Sequence, residues 1–365
     1  MASFWLIAVP SEDGREKTWQ KLQDRTARES TNFKFAVPDL RVGTLDSLLE
    51  LSDDLAKIDS YVESVVHKLE RQLCDLNPDE TLTVNGVSLE QFMTKFLWDP
   101  AKYNLKNSLR DLTSAISEEV TKIDEELRLK SSEYQTLKGA LAAVKRKAGG
   151  NLMQRNLADV INKDHFVESE NLTTLLVVVP KFMSREFLTT YESLTDFVVP
   201  RSAQKIAEDN EYELYRIIVF KRVADDYKNA AREKKYIVRD FKYDAVELEQ
   251  SKGEKSRLEL QVEKEWASLV RWCRTVFSEV FKAWIHLKAV RVFVESVLRY
   301  GLPANFQAYL MKPQKKSEKR LRESLQQLYG HLGSGSNTDQ EKEPASQEFF
   351  APYVYLPVTP SIATD

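Results

Sequence analysis

Several residue types that mark common classes of protein are scarce in this sequence. Only two of its 365 residues are cysteine, Cys74 and Cys273. Two cysteines so far apart cannot form a disulfide framework or a CxxC site, so we expect a reducing compartment. Glycine is also scarce, with 11 residues, whereas charged residues reach 30% of the chain. This combination is typical of long, solvated helices.

Long apolar runs are lacking as well. The run LLVVVP at 175–180 is far shorter than the ~20 residues that a membrane helix requires. The N-terminal segment SFWLIAVP has no basic residues before it and ends in a proline, which indicates a strand rather than a signal peptide. We therefore expect a cytoplasmic protein with no direct membrane insertion.

No catalytic or metal-binding pattern is recognisable. The four histidines, His67, His165, His286 and His331, do not have the spacing of metal ligands. The segment GEKS at 253–256 lacks the first glycine of a phosphate-binding loop, because position 248 is leucine. Lys and Arg total 53 and Asp and Glu total 56, a balance that argues against a nucleic-acid-binding protein. We expect no enzymatic activity, no cofactor and no metal.

Two long helical segments dominate what is present. They span 104–147 and about 244–300, and each has apolar residues at steps of three and four. Two such narrow stripes in one chain favour an antiparallel pair of helices. The alternative is that each helix packs on a compact core. The first stripe comprises Leu105, Leu109, Leu112, Ile116, Val120, Ile123, Leu127, Tyr134, Leu137, Leu141 and Val144.

The residues between the two helices have a different pattern. Four segments have the composition of strands: NLTTLLVVVP, TDFVVP, YELYRIIVFKR and YIVRDFKY. Two segments have the composition of helices: SREFLTTYESL, after the first strand, and VADDYKNAAREKK, after the third. Their order predicts a small split β-α-β-β-α-β domain. The pairs FWLIAVP…FKFAVP and LLVVVP…DFVVP are faintly similar, which indicates either an internal duplication or chance.

The predicted fold class is α+β and elongated. Two mixed α/β globular ends, a head and a foot, are joined by a long antiparallel two-helix coiled-coil neck. Because antiparallel helices return the chain to its starting end, both termini are expected to build the foot together. The predicted domains are 1–103 with 301–365 for the foot, 104–159 for the first arm, 160–243 for the head and 244–300 for the second arm.

The segment IHLKAVRVFVESVLRYGLP at 285–303 is apolar almost all round when drawn as a helix. We predict that it is buried and that Gly301 ends it in a left-handed conformation. Its charged residues fall on one line at helical spacing, and we expect that line to face solvent or a partner. The line comprises Lys288, Arg291, Glu295 and Arg299.

A basic segment, KPQKKSEKRLRES at 312–324, is the second candidate contact surface. Acidic protein, lipid headgroups or a polyanion would suit it, and the alternative is an exposed helix without a partner. The predicted partner-contact residues are Lys315, Lys316, Lys319 and Arg320 in this segment, with Arg291 and Arg299 in the buried helix. The loop GSGSNTDQEKEPASQE that follows is predicted to be disordered.

Seven segments together resemble the C subunit of the eukaryotic V-type proton ATPase, in order and nearly end to end. One of the two long segments is AWIHLKAVRVFVESVLRYGLPANFQA. The others are FAVPDLRVGTLDSLLELSDDLAKIDSYVE, WDPAKY, TLLVVVPK, YESLTDFVVPRS, AAREKKYIVRDF and PYVY. Members of this family look like a head, a helical neck and a foot made from both termini, which agrees with the architecture predicted above.

The resemblance implies a non-catalytic stator subunit in the V1 sector of the pump. The implied partners are stalk subunits E and G and the cytosolic domain of the membrane-embedded a subunit, with actin as a further partner. The implied location is the cytosolic face of vacuolar or endolysosomal membranes, with release when the cytosolic sector detaches reversibly. The family has no catalytic motif to transfer. Two alternatives remain at this point: a coiled-coil or cytoskeletal adaptor independent of the pump, and an enzyme with an unfamiliar site in the central domain.

Overall fold

A computed structural model describes residues 3–11, 14–148, 151–153, 157, 160–161, 165–167, 169–240, 245–333 and 351–361. The chain divides into two compact units. Unit 1 comprises 1–130 and 268–365, and unit 2 comprises 131–267. Each contains a four-stranded sheet and helices, so the fold is mixed α/β. The predicted disordered loop lies outside the described residues beyond Gly333.

The described residues form strands and α-helices in the following chain order. They are β1 (Phe4–Pro10), α1 (Arg15–Thr26), β2 (Ser30–Phe35), α2 (Leu45–Leu76), β3 (Thr83–Val84), β4 (Val87–Ser88), α3 (Leu89–Thr94), α4 (Leu109–Ala148), β5 (Leu172–Pro180), α5 (Ser184–Thr190), β6 (Gln204–Glu208), β7 (Tyr212–Phe220), α6 (Ala224–Glu233), β8 (Ile237–Arg239), α7 (Ala245–Tyr300), β9 (Phe306–Pro313), α8 (Glu318–Tyr329) and β10 (Val354–Val358). None of the described helices has an apolar stretch long enough to cross a bilayer.

The sheet of unit 1 joins strands from both ends of the chain. Its order is β10-β1-β9-β2, and every neighbouring pair is antiparallel. Strand β1 lies in the interior of the sheet, which explains why FWLIAV is apolar on both faces. On one face Trp5 packs with residues of α1 and α8, and beyond the other face Phe293 of α7 meets Phe306 of β9 with ring centroids 6.0 Å apart.

The sheet of unit 2 has the order β6-β7-β5-β8, again antiparallel throughout. With strands numbered within each sheet, both units have the order 4-1-3-2 of a split β-α-β-β-α-β motif. In unit 1 the two halves of the motif are far apart in the sequence, because the segment from α2 to α7 lies between β2 and β9. The similarity between FWLIAVP and LLVVVP therefore falls on equivalent strands, β1 and β5.

One strand prediction in unit 2 is wrong. The segment TDFVVP forms a turn and a single isolated bridge between Val198 and Val219, and the edge strand is β6 instead. Phe197 and Arg201 both have positive φ, 60° and 54°, which interrupts an extended strand. The sequence QKIAE of β6 lacks apolar alternation because both of its faces are partly exposed.

The two long helices are present as predicted, with one shifted start. Helix α4 begins at Leu109 rather than near 104, because the Ser108 hydroxyl accepts a hydrogen bond from the Asp111 amide, 3.1 Å away. Within unit 1 the stripe of α4 from Leu109 to Leu127 is buried as predicted. Helix α7 ends at Tyr300, and Gly301 has a φ of +80°, as expected for a glycine-terminated helix.

Unit 1 contains a third long helix, α2, beside both of these. Arg110 of α4 pairs with Glu50 at 3.1 Å, and Lys68 pairs with Asp124 of α4 at 3.0 Å. The residue numbers at these two contacts increase along both α2 and α4, so the two helices run parallel. The Thr44 hydroxyl caps α2 by accepting from the Ser47 amide at 3.3 Å. This arrangement places α2 where it can face the charged line of α7.

Candidate interaction surfaces

The charged line of α7 faces into unit 1. Lys288 is 2% exposed, and its ammonium Nζ lies 2.8 Å from Oδ2 of Asp59 on α2. Arg291 donates through Nη1 to the same oxygen at 2.7 Å, and the Trp284 indole donates to Oδ1 at 3.1 Å. The prediction that this line faces solvent or a partner is therefore wrong at Lys288. The helix is covered on that side by α2, whose buried carboxylate neutralises the charge.

The same line connects α7 to the C-terminal segment. Lys288 lies 3.4 Å from the Pro357 carbonyl in β10, and Arg299 donates to the Ala351 carbonyl at 2.7 Å. Arg291 also pairs with Glu295 at 2.8 Å. Two of the predicted partner-contact residues, Arg291 and Arg299, thus form internal bonds, and contact between either one and another chain remains a prediction.

A second polar group follows on α2. The His67 imidazole lies between Glu63, at 3.8 Å, and Glu70, at 3.3 Å. Hydrogen bonds to Glu63 and Glu70 raise the pKa of His67 to about 9, against the opposing effect of burial. The ring is therefore charged at neutral pH. Glu70, 1% exposed, also accepts a hydrogen bond from Ser361 near the C-terminus.

These α2 residues escape notice at the level of sequence. Their signal is spacing, since Asp59, Glu63, His67 and Glu70 follow one another at steps of four, four and three. That line runs along a helix whose leucines and valines are buried. A charged line on an otherwise apolar helix, opposite a second such line on α7, indicates pairing of two buried surfaces.

His286 has a structural role in unit 1. Its Nε2 accepts from the Asp99 amide at 3.0 Å and its Nδ1 lies 2.7 Å from the Lys282 carbonyl, which requires the neutral ring with the proton on Nδ1. Burial lowers the pKa of His286. Phe96 and Tyr103 pack against it with ring centroids 4.9 and 4.8 Å away. No group of His, Cys, Asp or Glu side chains among the described residues is arranged to hold a metal ion.

Two of the six cations in the basic segment contact other side chains of unit 1, and the other four do not form ion pairs with the residues that the structure describes. Lys312 pairs with Glu90 at 2.6 Å, and the Arg322 guanidinium lies 5.3 Å from the Trp5 ring. The other four cations are exposed, in the turn before α8 and in its first turn, and form no ion pair with any residue the structure describes. These four, which we call the basic surface, are Lys315, Lys316, Lys319 and Arg320. Partner contact there remains a prediction.

An open cavity of about 350 Å³ lies in unit 1. Phe35, Phe293 and Phe306 provide apolar lining, and Lys34 and Glu16 lie at its polar side. Those two side chains pair at 3.2 Å and are 55% and 71% exposed. That geometry is of a solvated surface ion pair, which differs from the enclosed, desolvated pair that proton transfer favours.

The polar groups with defined geometry join helices within unit 1, as in a structural protein. The family model for the V-ATPase C subunit matches residues 4–354. The chain is 47% identical over 375 residues to the V-type proton ATPase C subunit 1-A of Danio rerio, 46% over 374 residues to the C subunit 1 of Rattus norvegicus, and 44% over 376 residues to the C subunit of Manduca sexta. Each alignment covers 98% of both chains.

The chain belongs to the V-ATPase C-subunit family. Its role is that of a non-catalytic subunit of a proton-pumping ATPase, and the adaptor and enzyme alternatives are not favoured. A solved structure, the cytoplasmic N-terminal domain of the I subunit, a homolog of the a subunit of V-ATPase, covers 90% of this chain and 98% of its own at 13% identity. Its TM-score is 0.27, too low to bear on the fold.

Proposed function

We propose that this chain is a stator component in the peripheral stalk of a V-type proton ATPase, part of the V1 sector on the cytosolic face of vacuolar or endolysosomal membranes. It bridges stalk subunits E and G and the cytosolic domain of the membrane-embedded a subunit, and it detaches when the pump disassembles reversibly. Family membership over 98% of the chain carries this proposal.

We propose further that α4 and α7 pair as the antiparallel neck. Two contacts support this. The Lys130 ammonium lies 5.6 Å from the Trp272 ring, and Lys145 pairs with Glu259 at 3.1 Å. From the first contact to the second, the residue number increases along α4 and decreases along α7, as antiparallel pairing requires. Helices of 40 and 56 residues reach roughly 60 and 85 Å at ~1.5 Å per residue.

The domain division proposed for this role keeps the predicted boundaries. The foot is 1–103 with 301–365, the arms are 104–159 and 244–300, and the head is 160–243. The strands shared by both chain ends in the sheet of unit 1 support a foot built from both termini. A stiff element with a binding domain at each end suits a stator, which must resist the torque of a rotary motor.

Two modest binding sites on one stiff element also provide detachable anchoring. Once one end is bound, binding of the other becomes intramolecular, which raises the affinity roughly 10²–10⁴-fold when the geometry spans both sites. Weakening the binding at either end removes this increase in affinity. A small change at one end therefore releases the whole chain. Actin binding, which the resemblance also implies, remains a prediction that co-sedimentation with filaments tests.

Co-purification after gentle lysis tests the proposal. Stalk subunits E and G and the a subunit should copurify with the tagged chain, and a tagged chain carrying a disruptive change in the neck should lose them. An adaptor independent of the pump would retain cytoskeletal proteins and no pump subunits. Recovery of no pump subunit with the intact chain would contradict the stator role.

A further inference from the structure

An exposed aromatic residue in unit 2 has a strained backbone. Phe197 is 53% exposed and has a φ of 60°, a left-handed conformation that bulky side chains avoid. The end of β7 holds it there, because the Phe220 amide donates to the Phe197 carbonyl at 3.2 Å. The Val199 amide donates to the Ile218 carbonyl at 3.0 Å on the other side of the turn.

The Phe197 ring lies outside the hydrophobic core of unit 2. More than half of its surface is exposed, and its aromatic neighbour is Phe220, with ring centroids 6.0 Å apart. Glycine would adopt the same φ without strain. A residue that is unfavourable for its backbone and weakly packed is more often kept for binding than for stability.

A cation lies directly on this ring. The guanidinium carbon of Arg222 is 3.7 Å from the centroid of Phe197, and the neighbouring Lys221 is also exposed. Among the residues the structure describes, no carboxylate forms an ion pair with Arg222. The acidic residue three positions along, Asp225, pairs with Lys228 at 3.4 Å. Stacking uses the face of a guanidinium and leaves its N–H edge available for a carboxylate.

We propose that Phe197, Lys221 and Arg222 form an anchor for an acidic protein segment of the stalk, with a carboxylate bound by Arg222 and an apolar side chain covering Phe197. Charge complementarity selects this occupant, because the two cations flank the exposed ring and are not neutralised within the described chain. The inference rests on the proposed function, in which the head, 160–243, is one of the two binding domains and contacts the stalk.

The test measures the affinity of the full-length chain for co-expressed stalk subunits E and G by titration calorimetry. Arg222→Glu should weaken binding at least tenfold. Phe197→Gly should also weaken it several-fold, yet leave the Tm unchanged or higher because the backbone strain is relieved. Arg222→Lys should give an intermediate affinity, since an ammonium keeps the charge but lacks the planar face.

Arg185→Glu is the matched control. Arg185 is an exposed arginine of the same unit and follows β5, whose end lies beside the start of β7. It therefore lies at the opposite end of the β5–β7 pair from Arg222. The two ends of that pair are about 26 Å apart at ~3.3 Å per residue. The same charge reversal there should change affinity less than twofold.

The outcomes separate the two levels of inference. If the unaltered chain binds subunits E and G but Arg222→Glu binds equally well, the anchor is wrong and the stator role stands. Equal losses from Arg185→Glu and Arg222→Glu also overturn the anchor, because they indicate a general charge effect. Arg222-dependent sedimentation with phosphatidylserine vesicles, with unchanged E–G binding, assigns the surface to lipid instead. Failure of the unaltered chain to bind E and G overturns the proposed function itself.

Discussion

Removal of the Asp59 carboxylate should destabilise unit 1 far more than removal of an exposed carboxylate from the same helix. Asp59 is 2% exposed and accepts hydrogen bonds from Trp284, Lys288 and Arg291. The change Asp59→Ala leaves a buried ammonium whose next carboxylate, Glu63, lies 3.9 Å away. It also leaves the indole N–H without its acceptor.

The expected loss follows from these contacts. Removing one member of a buried ion pair costs about 3–5 kcal/mol, because the other charge stays desolvated. Arg291 keeps its bond to Glu295 at 2.8 Å, so the cost arises mainly at Lys288 and should fall near the lower end, about 3 kcal/mol. Asp59→Asn should cost less than Asp59→Ala, because an amide oxygen still accepts from Trp284.

Urea unfolding followed by tryptophan fluorescence measures this. Of the six tryptophans, only Trp266 lies in unit 2, so the signal reports mainly on unit 1. The matched control is Asp54→Ala on the same helix, where the pair with Lys57 is 4.0 Å long and both side chains are more than half exposed. That change should cost less than about 0.5 kcal/mol.

Two results would refute the reasoning. One is a loss below about 1 kcal/mol for Asp59→Ala, which would mean that Lys288 finds water or another partner at little cost. The other is failure of the double variant Asp59→Leu with Lys288→Met to recover most of the stability. Replacing a buried ion pair with apolar side chains is often neutral or stabilising. The double variant should therefore have a larger free energy of unfolding than Asp59→Ala.

Further outcomes are expected for stability, pH dependence and overall dimensions. Val294→Asp, at a fully buried position, should cost several kcal/mol of unfolding free energy in the same urea titrations. Arg291→Ala should also destabilise unit 1, because it removes a donor to the buried Asp59 carboxylate. The folded-state pKa of His67 is raised from 6.5 to about 9, so its stabilisation is complete below pH 6.5 and is lost as pH rises through 9, on the order of 1–3 kcal/mol; His67→Gln should flatten that pH dependence. Shortening both arms by matched heptads should leave E–G binding intact but abolish proton pumping after reconstitution, and small-angle scattering of the intact chain should give a radius of gyration well above the ~21 Å of a compact chain this long. Full pumping with the shortened arms, or a compact scattering profile, would contradict the neck.

Much of the local structure was predictable from sequence because its causes are local. The stripes of α4 and α7 follow from apolar residues at steps of three and four, and the end of α7 follows from Gly301. The apolar runs of β1 and β5 identified both segments as strands, and each lies in the interior of its sheet. The weakly patterned edge strand β6 was missed for the same reason, since an exposed strand carries no burial signal and the turn at Phe197 resembles a strand in composition.

The amino-acid sequence by itself determined most of the helices and strands, although not the edge strand β6, and its resemblance to a family determined the class of protein. Only the tertiary structure decided what the charged line of α7 faces. Lys288 and Asp59 are 229 residues apart, and a charged side chain on an apolar helix looks the same in sequence whether it meets water or a buried carboxylate. The same holds for Phe197 and Arg222, whose stacking depends on where β7 ends beside a turn. Long-range pairing depends on how elements pack, and periodicity along one element contains no record of the partner it meets.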